Sequence, residues 1–348
     1  MHFFDAHLDL ACLAENGRDM TLPPETSGGP WQPASATFPS LREGNVRAFL
    51  GTIFTEAGGD DAVAYPAHDA EAAHAAGLRQ LQRYHQWHAS GHINLHTPQA
   101  SFDAASCLRA SAPSCLLLME CADPVRSPDE LHWWVAQGVV CIGMAWARGS
   151  RYAAGNAEPS CNSPHGLTDL GRALVREMDA LGVVHDVSHL SDRALAELLD
   201  LTDRPIVATH SNSRARLSLP GRPAPERHLT DAAIREITCR GGLIGLNLFA
   251  NFIRPALSRG ERPTIDEAIG HVEHICELAG SRRCVGLGSD LDGGFSALHL
   301  PEGIDHPKDF RKITEALAAR NWPDHDIHAF AWQNWADFWS ARRRTSRE

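Results

Sequence analysis

The 348-residue sequence predicts a single α/β domain of the (β/α)8, TIM-like barrel class, and two observations carry that expectation. Short apolar runs alternate eight times with longer amphipathic segments, as when parallel strands are joined by crossover helices. Several of the runs also end in ionisable residues, as barrel strands do when their C-terminal rim carries the chemistry. The length alone fits about two average domains, but α/β barrels often use roughly 250 residues or more as one unit. An open doubly wound sheet is disfavoured, because the nearest glycine-rich stretch, GLGSDLDGG from Gly286, lacks dinucleotide-binding GxGxxG spacing.

The strand-like runs fall at 3–7, 46–54, 115–120, 139–146, 183–188, 205–210, 243–249 and 284–290. Helical segments separate them at 61–89, which is alanine-rich, and at 128–137, 170–181, 192–199, 231–239 and 265–279. Segment 15–43, after the first strand, is rich in Pro, Gly and Thr and reads as an irregular loop or lid, not a linker between domains. Beyond Asp290 a polar loop leads to a C-terminal helical segment over 305–345, with helices expected at 308–320 and 324–344. Its AWQNWADFW stretch spaces Trp332, Trp335 and Trp339 as one helix face, an aromatic stripe that packs on the barrel more simply than it binds a ligand.

Composition removes several function classes. Hydrophobic residues make up 43% and charged residues 22%, which excludes disordered, collagenous and coiled-coil chains. The net charge of −11 argues against a nucleic-acid partner, which wants a basic face. No apolar run reaches the length of a membrane span and the N-terminal MHFFDAHLDL is no signal peptide, so the expected location is the cytoplasm. The nine cysteines are odd in number and form no CxxC pair; Cys115, Cys141 and Cys284 sit in apolar runs and read as reduced core thiols.

The expected strand ends gather a metal-ligand set. The first carries Asp5-Ala6-His7-Leu8-Asp9, whose HxD spacing puts His7 and Asp9 on one side of an extended chain. The third ends in Glu120, the fifth in Asp186-Val187-Ser188-His189, the sixth in Thr209-His210 and the eighth in Asp290-Leu291-Asp292. Nitrogen and oxygen donors with one carboxylate able to bridge suit two zinc-like ions that keep positions for water. An HxD pair alone is weak evidence, and a polar residue ending a strand commonly just bonds the next loop; the coincidence of the whole set on one rim decides for the metal site. His271 and His274, at i,i+3 on a helix, read as packing or surface residues, and His74, His85 and His88 as solvated ones. Ser188 and Ser211 lack a GxSxG elbow and make poor nucleophiles.

At these residues the chain resembles the membrane (renal) dipeptidase family of zinc peptidases, within the amidohydrolase-like barrels. The matching stretches are DAHLDL at Asp5, FPSLREGNVRAF at Phe38, GLTDLGRALVREMDALGVVHDVSHLSD at Gly166, PIVATHSNSRA at Pro205, RHLTD at Arg227, GGLIGLNLF at Gly241, HVEHICELAG at His271 and VGLGSDLDG from Val285. The resemblance implies that His7 and Asp9 hold one zinc ion, that His189 and His210 hold the other, and that Glu120 bridges both. It implies hydrolysis of dipeptides, often with a D-residue at the C-terminal position, by a dimetal-bridging hydroxide. Asp290 would act as general base and Arg227 would receive the substrate carboxylate. A homodimer is implied by the same analogy.

The chain departs from the family pattern at three places. Trp146, in GMAWA, stands where the family has a histidine ending the fourth strand, and an indole can offer one hydrogen bond there but no imidazole. Glu-Gly-Gly has become Glu120-Cys121-Ala122, and Arg-Asn has become Arg227-His228. These changes leave the metal ligands intact and bear on the substrate, so two alternatives stand beside a dipeptidase. One is a hydrolase of the same family acting on another amide or a specialised biosynthetic intermediate; the other is a catalytically weak, metal-bound binding protein.

Overall fold

The computed structural model describes residues 1–96, 102–157, 166–219, 221 and 224–342. Eight parallel strands form the core: β1 (Phe3–Leu8), β2 (Val46–Phe54), β3 (Ser114–Glu120), β4 (Val139–Gly143), β5 (Val184–Asp186), β6 (Ile206–Val207), β7 (Ile244–Leu246) and β8 (Val285–Leu287). Hydrogen bonding runs in the order β7-β8-β1-β2-β3-β4-β5-β6, and the parallel bridge between Ala208 and Ile244 brings the two ends together. The amide of Gly245 donates to Ala208 O at 2.8 Å across that seam. The expected barrel is therefore present.

Each strand overlaps an expected run, with Leu8 of β1 and Ser114 of β3 one residue outside it, but the last five stop earlier than the apolar pattern does. The reason is local: Val187 N and Gly288 N still donate to Val207 O and Leu246 O, but the next amides turn to side-chain acceptors. Ser188 N donates to Asp186 Oδ1 at 3.1 Å and Ser289 N to Asp5 Oδ1 at 2.8 Å. The expected helix at 61–89 begins only at Ala70, where Asp69 caps it by accepting from Ala72 N; residues Ala64–Tyr65 instead pair with Glu56–Ala57. The helices Asp169–Leu181, Asp192–Leu201, Asp231–Cys239 and Ile265–Ala279 start on Thr or Ser caps that accept from the third helical amide, which fixes their entry points.

The two-residue period of the strands explains where the site must be. Phe4 and Ala6, Ala48 and Leu50, Leu116 and Leu118, Cys141, Val184 and Val207 share one buried cluster with Trp332, Trp335 and Trp339. Two residues further along the same faces come Thr52, Glu120, Asp186 and Thr209, all buried. The barrel interior is thus apolar toward its N-terminal end, where the tryptophans sit, and polar toward its C-terminal rim. The alternate strand faces pack outward on the helices in a second, larger cluster.

The tryptophan stretch is not one regular helix: Asp324–His328 is α-helical, Ala329–Gln333 a π-turn, and Asn334–Ser340 α-helical again. The expected end at 344 lies outside the described residues. Trp335 is fully buried, donates from Nε1 to Leu287 O at 3.0 Å, and lies where a Cβ on Gly286 would come within 2.4 Å of it. Trp335→Ala is expected to cost about 3 to 5 kcal/mol in urea unfolding, because a buried indole leaves a cavity that the strands cannot close.

Segment 15–43 crosses the C-terminal rim with only a short 3-10 turn at Pro24–Thr26 and a helix at Phe38–Glu43. It is pinned by a buried ion pair between Arg18 and Asp292, whose carboxylate also accepts from the amides of Ser35 and Ala36 at 2.8 Å. The eight described cysteines are free; Cys161 lies outside the described residues. Among the described residues no helix is long and apolar enough to cross a membrane.

Candidate metal centre

The structure brings the residues expected as ligands to one point above β1, β3, β5 and β6. Ligand atoms of His7, Asp9 and Glu120 lie within 4.8 Å of one another, and so do those of Glu120, His189 and His210. The two groups share Glu120. Its Oε2 stands 3.4 Å from His7 Nε2, while its Oε1 stands 3.0 Å from His189 Nε2 and 3.4 Å from His210 Nε2. His7 Nε2 is also 3.6 Å from Asp9 Oδ1 and 4.0 Å from Asp290 Oδ1.

Residues outside the ligand set hold it in place. Asp186 accepts from Thr209 N at 3.0 Å and from Thr209 Oγ1 at 2.6 Å, and Thr209 Oγ1 lies 2.9 Å from His210 Nδ1, which leaves Nε2 of that ring turned to Glu120. Thr52 donates its hydroxyl to Asp9, and Asn247 Nδ2 donates to Asp290 Oδ2 at 2.8 Å. Asp290 itself stands at φ 61°, past the end of β8, so its side chain is aimed by a turn and not by strand alternation. Cys121, at φ 70° directly after Glu120, takes a conformation that glycine adopts freely.

The sequence had not assigned these supporting roles. Strand parity was the available signal for Thr52, Asp186 and Thr209, because each is a polar residue on an otherwise apolar inward face.

The electrostatics call for cations. Burial opposes protonation of His7, yet Glu120 and Asp9 outweigh it and hold its pKa well above the usual range. Burial alone would raise Glu120, but the charge of His7 and the imidazoles of His189 and His210 hold it well below the carboxylate range. Burial, opposed by His7 and reinforced by Asp9 and Glu120, pushes Asp290 up to about 7. Burial and Arg227 lower His189, and burial, His7 and Arg227 hold His210 well below its usual value. His7 Nε2, the ring nitrogen facing Glu120 and Asp9, is buried without a hydrogen-bond partner among the described residues, and His189 Nε2 lies 3.0 Å from His210 Nε2. Orphaned imidazole nitrogen beside paired carboxylates is a donor set that fits divalent cations.

The cavity above this cluster has a volume of about 330 Å³. Trp146 and Arg227 both line it, together with Phe54, Phe249, Phe252 and Phe295. Arg227 is buried; its Nη1 donates to Ser188 O and Ser211 Oγ at 3.0 Å and its Nη2 to His210 O at 2.8 Å. Its guanidinium lies 4.9 Å from the Phe252 ring centre, and its Nε has no partner among the described residues.

His271 and His274 are structural. His271 accepts at Nδ1 from Ser213 N at 3.2 Å and donates from Nε2 to Ile253 O at 2.9 Å, and His274 Nε2 lies 2.9 Å from Asp231. Of the three histidines expected to be solvated, His85 and His88 are exposed, though His88 Nδ1 also lies 3.3 Å from Ile93 O, while His74 is half-buried and bonds Pro124 O at 2.9 Å. Burial lowers His271 from 6.5 to about 4. The unfolded chain therefore binds this proton first as pH falls, so the contribution of neutral His271 is complete above about 6.5 and is lost toward about 4. This loss approaches about 3 kcal/mol. Unfolding free energies measured between pH 7 and 4 are expected to fall more steeply for the native protein than for His271→Asn.

A family model described as membrane dipeptidase (peptidase family M19) matches residues 1–347. An uncharacterized protein of the pqqA 5' region in Klebsiella pneumoniae is 29% identical over 209 residues, 59% of this chain and 73% of that one. An uncharacterized dipeptidase of Schizosaccharomyces pombe is 33% identical over 152 residues, 44% of this chain and 33% of its own length. The chain thus spans from a third to about three quarters of these curated relatives. A Rhodobacter sphaeroides metallo peptidase, solved with a phosphinate mimic of the dipeptide L-Ala-D-Ala, superposes with a TM-score of 0.79 at 23% identity, covering 97% of this chain and 98% of that one. The probable dipeptidase PvdM of Pseudomonas aeruginosa gives 0.78 at 18%, covering 98% and 95%. Both likenesses concern the fold.

Proposed function

We propose, from the premise that this chain belongs to the membrane dipeptidase family, peptidase family M19, that it is a metallo-dipeptidase working with two zinc ions on dipeptides with a free C-terminal carboxylate. The observation that carries the reading is Glu120, whose two oxygens face two separate ligand sets. In this reading His7 and Asp9 hold one ion, His189 and His210 the other, and Glu120 both. When bound, such ions supply Lewis acidity and a water whose pKa is lowered toward neutrality.

The chain's own groups do the rest. Asp290, lifted to about 7 and fixed through Oδ2 by Asn247, holds Oδ1 toward the cluster as the general base. It accepts a proton there from the attacking water and returns it to the leaving amide nitrogen. Arg227 is a buried cation with backbone and hydroxyl partners but no carboxylate partner among the described residues, which supports its receiving the substrate's terminal carboxylate. A larger peptide has no carboxylate at that distance, which explains a limit to dipeptides.

The test is release of amino acids from L,L- and L,D-dipeptides by metal-loaded protein, set against the corresponding dipeptide amides. The free acids are expected to be preferred, and Arg227→Met is expected to raise KM for them by about 10- to 100-fold while leaving the amides nearly unaffected. Equal cleavage of acids and amides by the native protein would remove Arg227 from this role. Trp146 favours a second reading, in which the same centre acts on a specialised amide; it predicts no release from any simple dipeptide.

A further inference from the structure

The aromatic residues of the cavity fall into two groups on opposite arcs of the barrel mouth. Phe249 and Phe252 follow β7 and Phe295 follows β8; Phe249 lies 4.9 Å from Phe252 and 4.6 Å from Phe295 between ring centres. Arg227 stacks on Phe252 at this side. Across the ring, Phe54 ends β2 and Trp146 follows β4, with β3 and its Glu120 between them. Their rings meet edge to face at 5.3 Å, and the indole lies 6.0 Å from the His189 ring.

A dipeptide whose carboxylate meets Arg227 lays its C-terminal residue beside the Phe249–Phe252 group and carries its N-terminal residue over the metal cluster toward Phe54 and Trp146. Two acidic residues, Glu56 and Asp61, line the cavity near that shelf. Glu56 pairs with Arg148 at 3.4 Å, and Asp61 Oδ1 accepts from Val63 N at 3.1 Å. Beside these two acids, Phe54 and Trp146 present two half-buried aromatic rings to the cavity. Such a surface rewards burial of a large apolar side chain and gives nothing to a glycine or a carboxylate.

We propose that Phe54 and Trp146 form the specificity wall for the N-terminal residue and select a large apolar side chain there; the proposal rests on the dipeptidase reading. The test is steady-state kinetics of metal-loaded protein on Gly-Ala, Leu-Ala and Phe-Ala, and on Ala-Gly, Ala-Leu and Ala-Phe. The native protein is expected to favour Phe-Ala and Leu-Ala over Gly-Ala by about tenfold or more in kcat/KM. Phe54→Ala and Trp146→Ala each shrink that preference by about tenfold, mainly through KM, while Trp146→Phe keeps most of it.

Three results overturn the wall: no N-terminal preference in the native protein, an equal proportional loss on Gly-Ala and Phe-Ala in Trp146→Ala, or a change confined to the C-terminal series. Native protein that carries two metal ions and cleaves none of the six peptides overturns the dipeptidase reading and this proposal with it. Cleavage without N-terminal preference overturns the wall alone.

Discussion

Glu120→Gln is expected to lower the metal content from two ions to one or fewer per chain and to reduce kcat/KM on dipeptides by about a thousandfold or more. The side chain is buried at the end of β3 with three imidazoles around it, and both oxygens are used. Glutamine keeps the volume but removes the charge that balances the cations and turns one acceptor into a donor aimed at them. A loss of this size is about 4 kcal/mol, within reach of removing a buried charge from its partners. Metal analysis after dialysis, paired with amino-acid release, measures both effects. Full metal content in this variant would mean that the ligand sets do not share Glu120.

Asp290→Asn is expected to separate chemistry from metal binding. Its carboxylate lies 4.0 Å from His7 and bonds Asn247, so an amide of the same shape keeps the packing while losing the proton acceptor. Turnover should fall by about 10² to 10⁴, the usual span for a positioned general base, with metal content near native. An unchanged rate would reject Asp290 as the base.

The barrel was legible because strand parity and apolar length agree: Leu116, Leu118 and Glu120 point to one face both in the sequence pattern and in the structure. The positions of His7, Asp9, His189 and His210 were legible for the same reason, since each lies at or just past an apolar run. What stayed hidden depends on turns and on long-range bonds. Asp290 and Asp292 take positive φ, which no residue pattern announces, and Asp292 is locked by Arg18 from far along the chain. The over-long helix at 61–89 came from its alanine content, which hides the cap at Asp69. The split of the tryptophan stretch by a π-turn likewise follows from seating the Trp332 and Trp335 side chains with Phe4 in the barrel's interior, not from local propensity.

Two ions held on either side of Glu120 and acting on dipeptides are the centre of this account, and one titration tests it most directly. Metal-free protein is titrated with zinc while the release of alanine from L-Ala-L-Ala and L-Ala-D-Ala is followed. Activity that continues to rise through the second equivalent and then levels is the predicted result. A plateau reached by the first equivalent, or no release at any loading, would contradict it.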